Sequence, residues 1–99
     1  MAGTNSRTQL MEACWRGDLA EVRRLIADGA SVNARNANGT TPLMYAKTYA
    51  FSTGDLEIIR TLLAHGADPQ IRDNAGKTAK DYTLERSRAI VEILEQGQA

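Results

Sequence analysis

Two stretches of the chain, residues 19–26 and 56–63, place hydrophobic residues at the spacing of one helical face. The apolar positions are Leu19, Val22, Leu25 and Ile26 in the first stretch, and Leu56, Ile58, Ile59, Leu62 and Leu63 in the second. Separations of three, four and seven residues return to the same side of an α-helix, which predicts two helices with buried faces. Gly29 and Gly66 follow these stretches, where a residue in the left-handed conformation would end each helix.

A different kind of helix is predicted to precede the second stretch. Thr41 can accept a hydrogen bond from an unpaired backbone N–H, and Pro42 loses no helical bond in the first turn. Leu43 and the small residue Ala46 then form an apolar stripe that allows close helix packing. Polar segments rich in glycine and asparagine, residues 36–39 and 73–76, predict tight turns. The predicted unit is therefore helix, turn, helix and projecting turn.

The same short strings recur along the chain in a fixed order. Those separated by 37 residues are Gly17-Asp18-Leu19 with Gly54-Asp55-Leu56, Gly29-Ala30 with Gly66-Ala67, and residues 36–41 with residues 73–78. An earlier match, residues 8–11 with residues 41–44, has an offset of 33. The difference of four residues predicts an insertion between Ala46 and Gly54.

In combination, these strings resemble ankyrin repeats over nearly the whole chain, from Thr8 to Leu94. The strings that carry the resemblance are Thr41-Pro42-Leu43, Gly54-Asp55-Leu56-Glu57-Ile58-Ile59, Leu62-Leu63, Gly66-Ala67-Asp68 and the spacing Asp73, Gly76, Thr78. The resemblance implies an all-α solenoid of stacked helix–turn–helix units with projecting β-turns or hairpins. We expect a flexible start over residues 1–7 and one domain over residues 8–95, with repeats at about 8–35, 36–72 and 73–95.

The chain departs from the family pattern at three places. The family usually has a histidine two residues after the proline, where Met11 and Met44 stand here, so we expect apolar packing in place of hydrogen bonds. The third unit has Asp81 at that position and lacks the Gly-Asp turn. Its charged residues 85–88 are expected to form a polar cap that stops further stacking.

Composition and charge indicate which kinds of molecule the chain can bind. Twelve basic and twelve acidic residues give a net charge of zero, which disfavours nucleic acids and anionic membranes as partners. Nine of the twelve cations are arginines, which suit protein contacts. The N-terminus lacks the apolar stretch of a secretory signal, and Cys14 is the only cysteine, so we expect a cytoplasmic protein.

Few residues offer catalytic chemistry. Cys14 occupies a position where the repeat favours a small buried residue, and His65 lies where it can bind carbonyls at a helix end. Asp18 and Asp55 are expected to cap the second helices. Because His65 is the only histidine and Cys14 the only cysteine, the sequence has no metal-ligand spacing, and we expect no enzyme activity, cofactor or metal.

The resemblance implies a protein–protein interaction module, an adaptor, scaffold or inhibitor. Partners of such repeats usually contact the projecting turns and the first helices. Carried over by motif, the partner-binding positions are Trp15, Arg16, Arg35, Asn38, Thr40, Thr48, Tyr49, Arg72, Asn74 and Lys77. Tryptophan and arginine are enriched at interface hot spots, so Trp15 and Arg16 stand out. The alternative for Trp15 is a half-buried side chain that shields the edge of the first repeat.

The insertion contributes further aromatic residues, and each has two interpretations. Tyr49 and Phe51 can extend the contact surface near Trp15. Alternatively, Tyr49 covers Leu19 or a neighbour, and Phe51 fills the space under a longer loop.

Three other hypotheses stay open beside the binding module, which we expect to be a monomer. The chain could self-associate end to end and bury Met11 and Trp15. Nucleic acid could bind along Arg16, Arg35, Arg72 and Lys77, although Asp68 and Asp73 interrupt that stripe. The resemblance also places Asn33 where family members can be hydroxylated.

Overall fold

The computed structural model describes residues 6–81 and 92–95 of the chain, with side chains from Thr8 onward. Its helices are α1 (Ser6–Arg16), α2 (Leu19–Ala27), α3 (Pro42–Thr53) and α4 (Glu57–Ala64), and residues 92–95 are also helical. These residues contain no β-strand, so the predicted all-α class is confirmed. Helix α1 begins at Ser6, inside the segment predicted to be flexible. Residues 1–5 and the predicted polar cap at 85–88 lie outside the described residues.

The helices form two layers that share one apolar core. Helix α1 packs against α3, and α2 packs against α4, while short turns join α1 to α2 and α3 to α4. The largest fully buried side chains are Leu10, Leu43, Ile58, Ile59, Leu62, Leu94, Val22, Pro42 and Cys14. Burial of apolar side chains of this size stabilises a fold by about 1.5–3 kcal/mol each. The apolar positions read from the sequence therefore meet between the layers.

Local capping interactions set where the helices begin. The Thr41 hydroxyl accepts a hydrogen bond from the Met44 N–H at 3.4 Å, and Asp18 accepts one from Glu21 at 3.1 Å, as predicted. Asp55 differs from its prediction, because α4 begins at Glu57 and Leu56 occupies the N-cap position. The Asp55 carboxylate accepts a hydrogen bond from the Glu57 N–H only two residues away, a turn that leads into the helix.

The four-residue insertion lengthens α3. Helices α1 and α3 both end at a left-handed glycine, Gly17 or Gly54, with a φ of 79° in each. Four residues correspond to about one turn of α-helix, so α3 reaches one turn further past its apolar stripe than α1 does. The predicted position of the insertion, between Ala46 and Gly54, agrees with this extra turn.

The methionines at the unusual positions take part in the core. Met11 and Met44 are both buried, and Met44 belongs to the main apolar cluster, which confirms apolar packing at this position. In the third unit, Thr78 donates its N–H to Asp81 at 3.0 Å, and the Asp81 N–H donates to the Thr78 hydroxyl at 3.1 Å. The hydrogen bond from Thr78 keeps the pKa of Asp81 below its usual value.

Candidate partner-binding surface

Trp15 lies in the last turn of α1 and is turned away from the core. Its exposed fraction is 59%, and it is the large hydrophobic residue that stands out as exposed in the described part of the chain. The residues before it, Ala13 and Cys14, are completely buried. More than half of the Trp15 surface is therefore accessible and the rest is covered within the chain, so its role in partner binding stays a prediction.

Trp15 borders a shallow groove between α1, the first projecting turn and α3. The groove has a volume of about 200 Å³ and is lined by Thr8, Met11, Glu12, Trp15, Asn36 and Tyr45, a set that we call the Trp15 groove. Its four α1 residues have spacings of three, four and seven, which place them on one helical face. This spacing was visible in the sequence, but without the fold nothing showed that Asn36 and Tyr45 would face it.

A hydrogen bond fixes the far wall of the Trp15 groove. The Asn36 side-chain amide donates to the Tyr45 hydroxyl at 3.0 Å in a partly buried position. Asn36 also accepts hydrogen bonds through its side-chain oxygen from the N–H groups of Asn38 and Thr40. The turn and α3 are therefore held together where they meet the groove, and its shape is preformed.

A second, more polar recess continues the surface from Tyr45 toward the second turn. It has a volume of about 160 Å³ and is lined by Thr40, Met44, Tyr45, Lys47, Thr48 and Asp73, a set that we call the Thr48 recess. The predicted binding residues Thr40 and Thr48 meet here. Tyr45 lines both depressions, so the two form one continuous surface along the first helices.

The projecting turns are joined to each other by hydrogen bonds. The Asn74 N–H donates to the Asn38 carbonyl at 3.0 Å, and the Asn74 side chain donates to the Ala37 carbonyl at 2.9 Å. The Arg35 guanidinium donates to the Arg72 carbonyl at 3.0 Å. These contacts use groups of four predicted binding residues, Arg35, Asn38, Arg72 and Asn74, to stack neighbouring turns. The Arg35 and Asn74 side chains therefore also have a structural role.

Arg72 and Lys77 complete the second turn. The Arg72 guanidinium donates to the Gly76 carbonyl at 2.7 Å, and the Lys77 N–H donates to Asp73 at 3.0 Å. Asp73 therefore organises the second turn as Asn36 organises the first. Both predicted residues stay exposed at the tip of the turn, but neither lines the Trp15 groove or the Thr48 recess.

The remaining predicted binding residues, Arg16 and Tyr49, directly follow Trp15 in α1 and Thr48 in α3. Arg16 is exposed at the last position of α1, and Tyr49 is partly buried against the core. The Tyr49 ring lies so close to Gly17 that a Cβ atom there would overlap it. Phe51 also packs on the core, with the Lys47 ammonium 5.8 Å from its ring centre. Tyr49 and Phe51 line neither depression, in agreement with the alternative in which they cover neighbouring residues.

Cys14 and His65, the candidates for nucleophilic or metal-binding chemistry, are engaged in contacts that stabilise the fold. Burial raises the pKa of the Cys14 thiol from 9.0 to about 12, so the thiol keeps its proton at neutral pH. The His65 ring Nδ1 lies 2.9 Å from the Thr61 carbonyl at the end of α4, which confirms its predicted contact with a helix-end carbonyl. Within the residues that the structure describes, no group of three or more His, Cys, Asp or Glu side chains could hold a metal ion.

The described helices include none with the length and apolar character needed to cross a membrane.

Comparison with known proteins agrees with the repeat pattern. A family model described as ankyrin repeats, in three copies, matches residues 10–98. No curated protein matches the chain. Ankyrin repeats are generally protein–protein interaction modules and are typically non-enzymatic. Because the match covers most of the chain and coincides with the stacked helix pairs, the protein belongs to the ankyrin-repeat family.

Proposed function

We propose that this chain is a protein-interaction module that holds a partner protein on the surface formed by the Trp15 groove and the Thr48 recess. The observation that carries the proposal is the exposure of Trp15 beside an apolar groove. Tryptophan side chains at well-packed sites dominate the binding energy of many interfaces. A tryptophan left 59% exposed has an apolar surface that a partner can cover.

The preformed shape of this surface favours tight binding. Its walls come from two helices and from a turn that hydrogen bonds already hold in place. A rigid surface loses little conformational entropy when a partner docks, so more of the contact energy appears as affinity. The mechanism is occlusion or tethering, as in an adaptor, scaffold or inhibitor, with no cofactor and no covalent step. The unpaired, buried thiol of Cys14 suits a cytoplasmic setting.

The structure gives less support to the two alternative functions. End-to-end self-association would bury Met11 and Trp15, but Met11 is only 5% exposed in the single chain, so almost all of the area gained would come from Trp15 alone. In the cationic stripe considered for nucleic acid, the exposed Arg35 and Arg72 side chains already donate hydrogen bonds to backbone carbonyls of the turns. We therefore propose a monomer that binds protein.

Replacing Trp15 tests the proposal directly. Trp15→Ala should weaken partner binding by about 2–4 kcal/mol, because it removes the central apolar anchor. The free energy of unfolding should change by about 1 kcal/mol or less, since most of the side chain is in solvent. Affinity purification with quantitative mass spectrometry, run in parallel on wild type and variant, identifies the partner, and calorimetry with that purified partner measures the loss.

Arg23→Ala is the matched control, because Arg23 is exposed on α2, away from both depressions. This control should bind like the wild type. Sedimentation of the same samples at several concentrations should give the mass of a monomer. If Trp15→Ala instead unfolds the chain at a much lower temperature, Trp15 supports the first repeat and the assignment of the site is wrong.

A further inference from the structure

The Trp15 groove contains one charged side chain, Glu12. The other lining residues are neutral and include the apolar surfaces of Met11, Trp15 and Tyr45. Glu12 is exposed, and within the described residues it has no hydrogen bond or ion pair. Its surroundings differ from those of Glu21 on α2 and Glu57 on α4.

Glu21 on α2 and Glu57 on α4 each form an ion pair with an arginine of the same helix. Glu21 lies 2.6 Å from Arg24, and Glu57 lies 3.5 Å from Arg60. Glu12 has a comparable cation available, because Arg16 follows four residues later on α1, yet the two form no ion pair. Arg16 also does not line the groove. Among the residues that the structure describes, none therefore places a cation against the Glu12 carboxylate at the groove.

This arrangement has a consequence for any partner that covers Trp15. An apolar side chain that fills the groove takes water away from the neighbouring Glu12 carboxylate. A carboxylate that loses water without a compensating charge opposes binding, whereas a cation from the partner removes this penalty. An acidic partner would add repulsion to the loss of water. The groove thus favours an apolar group and a positive charge close together.

We infer that the partner segment, given that the proposed function holds, presents an apolar side chain to Trp15 and an arginine or lysine to Glu12. On a helix, residues three apart have Cβ atoms about 5–6 Å apart, which applies to Glu12 and Trp15. In an extended peptide, side chains two residues apart point the same way and lie about 7 Å apart. The basic residue therefore stands two positions from the apolar one. Arginine is the better match, because its planar fork fits a carboxylate through two hydrogen bonds.

Tyr45 adds a polar contact for the backbone of this segment. Its hydroxyl oxygen accepts a hydrogen bond from Asn36, so its own O–H remains able to donate. A carbonyl of an extended segment lying along the groove is a suitable acceptor. The groove then supplies an apolar wall, a carboxylate and a hydroxyl donor, which together match a short basic–apolar peptide.

A peptide selection tests this inference with the full chain. A phage library of random twelve-residue peptides is panned against the wild type and against Glu12→Arg. The wild type should enrich peptides with an aromatic or aliphatic residue two positions from arginine or lysine. The Glu12→Arg chain should enrich aspartate or glutamate at that second position. Identical enrichment by both chains would overturn the inference.

Affinity for a synthetic copy of the best wild-type peptide gives the quantitative test. Trp15 is the only tryptophan, so its fluorescence reports binding at the groove itself. Glu12→Gln should weaken binding about two- to fivefold, the range of an exposed ion pair. Exchanging the peptide's basic residue for glutamate should weaken wild-type binding further, and Glu12→Arg should restore it. Glu57→Gln removes a carboxylate outside the groove and should leave the affinity unchanged.

The outcomes separate this inference from the proposed function. Peptides that need Trp15 but show no preference for a basic residue overturn the charge inference alone. An equal loss of affinity in Glu57→Gln also overturns it, because the effect would then come from overall charge. Failure to enrich any peptide that loses affinity with Trp15→Ala counts against both the inference and the proposed binding surface.

Discussion

Cys14 and Trp15 are consecutive residues of α1 with opposite surroundings. The Cys14 side chain is fully buried between the helices, whereas Trp15 is 59% exposed at the groove. Successive residues of an α-helix differ in direction by about 100°, so neighbours in sequence need not share a face. Both residues are chemically distinctive, but only the one that faces solvent can meet a partner. Catalysis by the thiol is disfavoured by the same burial that makes it part of the core.

The raised pKa of Cys14 predicts a pH dependence of stability. Its thiol has a pKa of about 12 in the folded chain, compared with a usual value of 9.0. The folded protein therefore keeps this proton at a pH where the unfolded chain has lost it. The stabilisation is fully present below pH 9 and is lost as the pH rises from 9 toward 12. Between about pH 8 and about pH 10, the wild type should lose about 1.4 kcal/mol more stability than Cys14→Ala.

Urea unfolding of both chains over this pH range measures the difference. Only the slope with pH is compared, because Cys14→Ala also removes a buried sulfur and lowers stability at every pH. Other groups titrate equally in the two chains and cancel. Parallel curves for wild type and variant would mean that the thiol is solvated in the folded state.

At the scale of elements, the inserted turn of α3 is fastened to the turn between α1 and α2. Tyr49 lies in this added segment, and its ring rests on Gly17, where only a glycine leaves room for it. Gly54 ends α3 with the same φ of 79°, but an added Cβ there would meet no atom within 4 Å. The two glycines share a backbone conformation and differ in what surrounds them.

Alanine at these glycines should have unequal effects. Gly54→Ala should destabilise the chain by about 1–2 kcal/mol, the strain of a left-handed residue with a side chain. Gly17→Ala should destabilise it more, because the new methyl group also displaces the Tyr49 ring. Urea unfolding of both variants measures the difference. In Tyr49→Ala, the excess effect of Gly17→Ala should disappear. Equal losses in Gly17→Ala and Gly54→Ala would show that Tyr49 does not pack on this turn.

At the scale of the whole molecule, the repeats are joined by an asparagine as well as by the core. The Asn33 amide donates to the Gly66 carbonyl at 3.0 Å, and its oxygen accepts from the Asp68 N–H at 2.7 Å. The loops that end the first and second units are thereby connected. In repeat proteins, stability is a sum of unit terms and of interface terms between neighbours. Asn33 therefore contributes to the free energy of the interface between the first and second units.

Removing this link should lower the stability of the array. Asn33→Ala breaks two hydrogen bonds across the interface and should lower the free energy of unfolding by about 1–3 kcal/mol. Asn38→Ala is the control, because the Asn38 side chain is exposed and makes no hydrogen bond within the described residues. Urea unfolding compares the two variants. Similar unfolding midpoints for both would contradict a role of Asn33 in holding the units together.

Much of the fold was predictable because its signals are local. The cap at Thr41, the turns organised by Asn36 and Asp73, and the left-handed Gly29 and Gly66 all depend on atoms within about five residues. The match of repeated strings also located the insertion. Residue type and helical spacing were sufficient for these features, since the interacting groups are neighbours in the chain.

The candidate site depended on contacts between distant segments. Arg35 with Arg72 and Tyr49 with Gly17 come together only when the units stack, and Asn36 meets Tyr45 only when the turn folds back on α3. The sequence alone determined the repeat, its helices and the candidacy of Trp15. Only the tertiary structure decided which neighbours form the groove and that, among the described residues, no cation pairs with Glu12. It also decided that the Arg35 side chain joins the two turns. The reason is physical: capping and helix periodicity act over a few residues, whereas the shape and charge of a surface depend on packing across the whole stack.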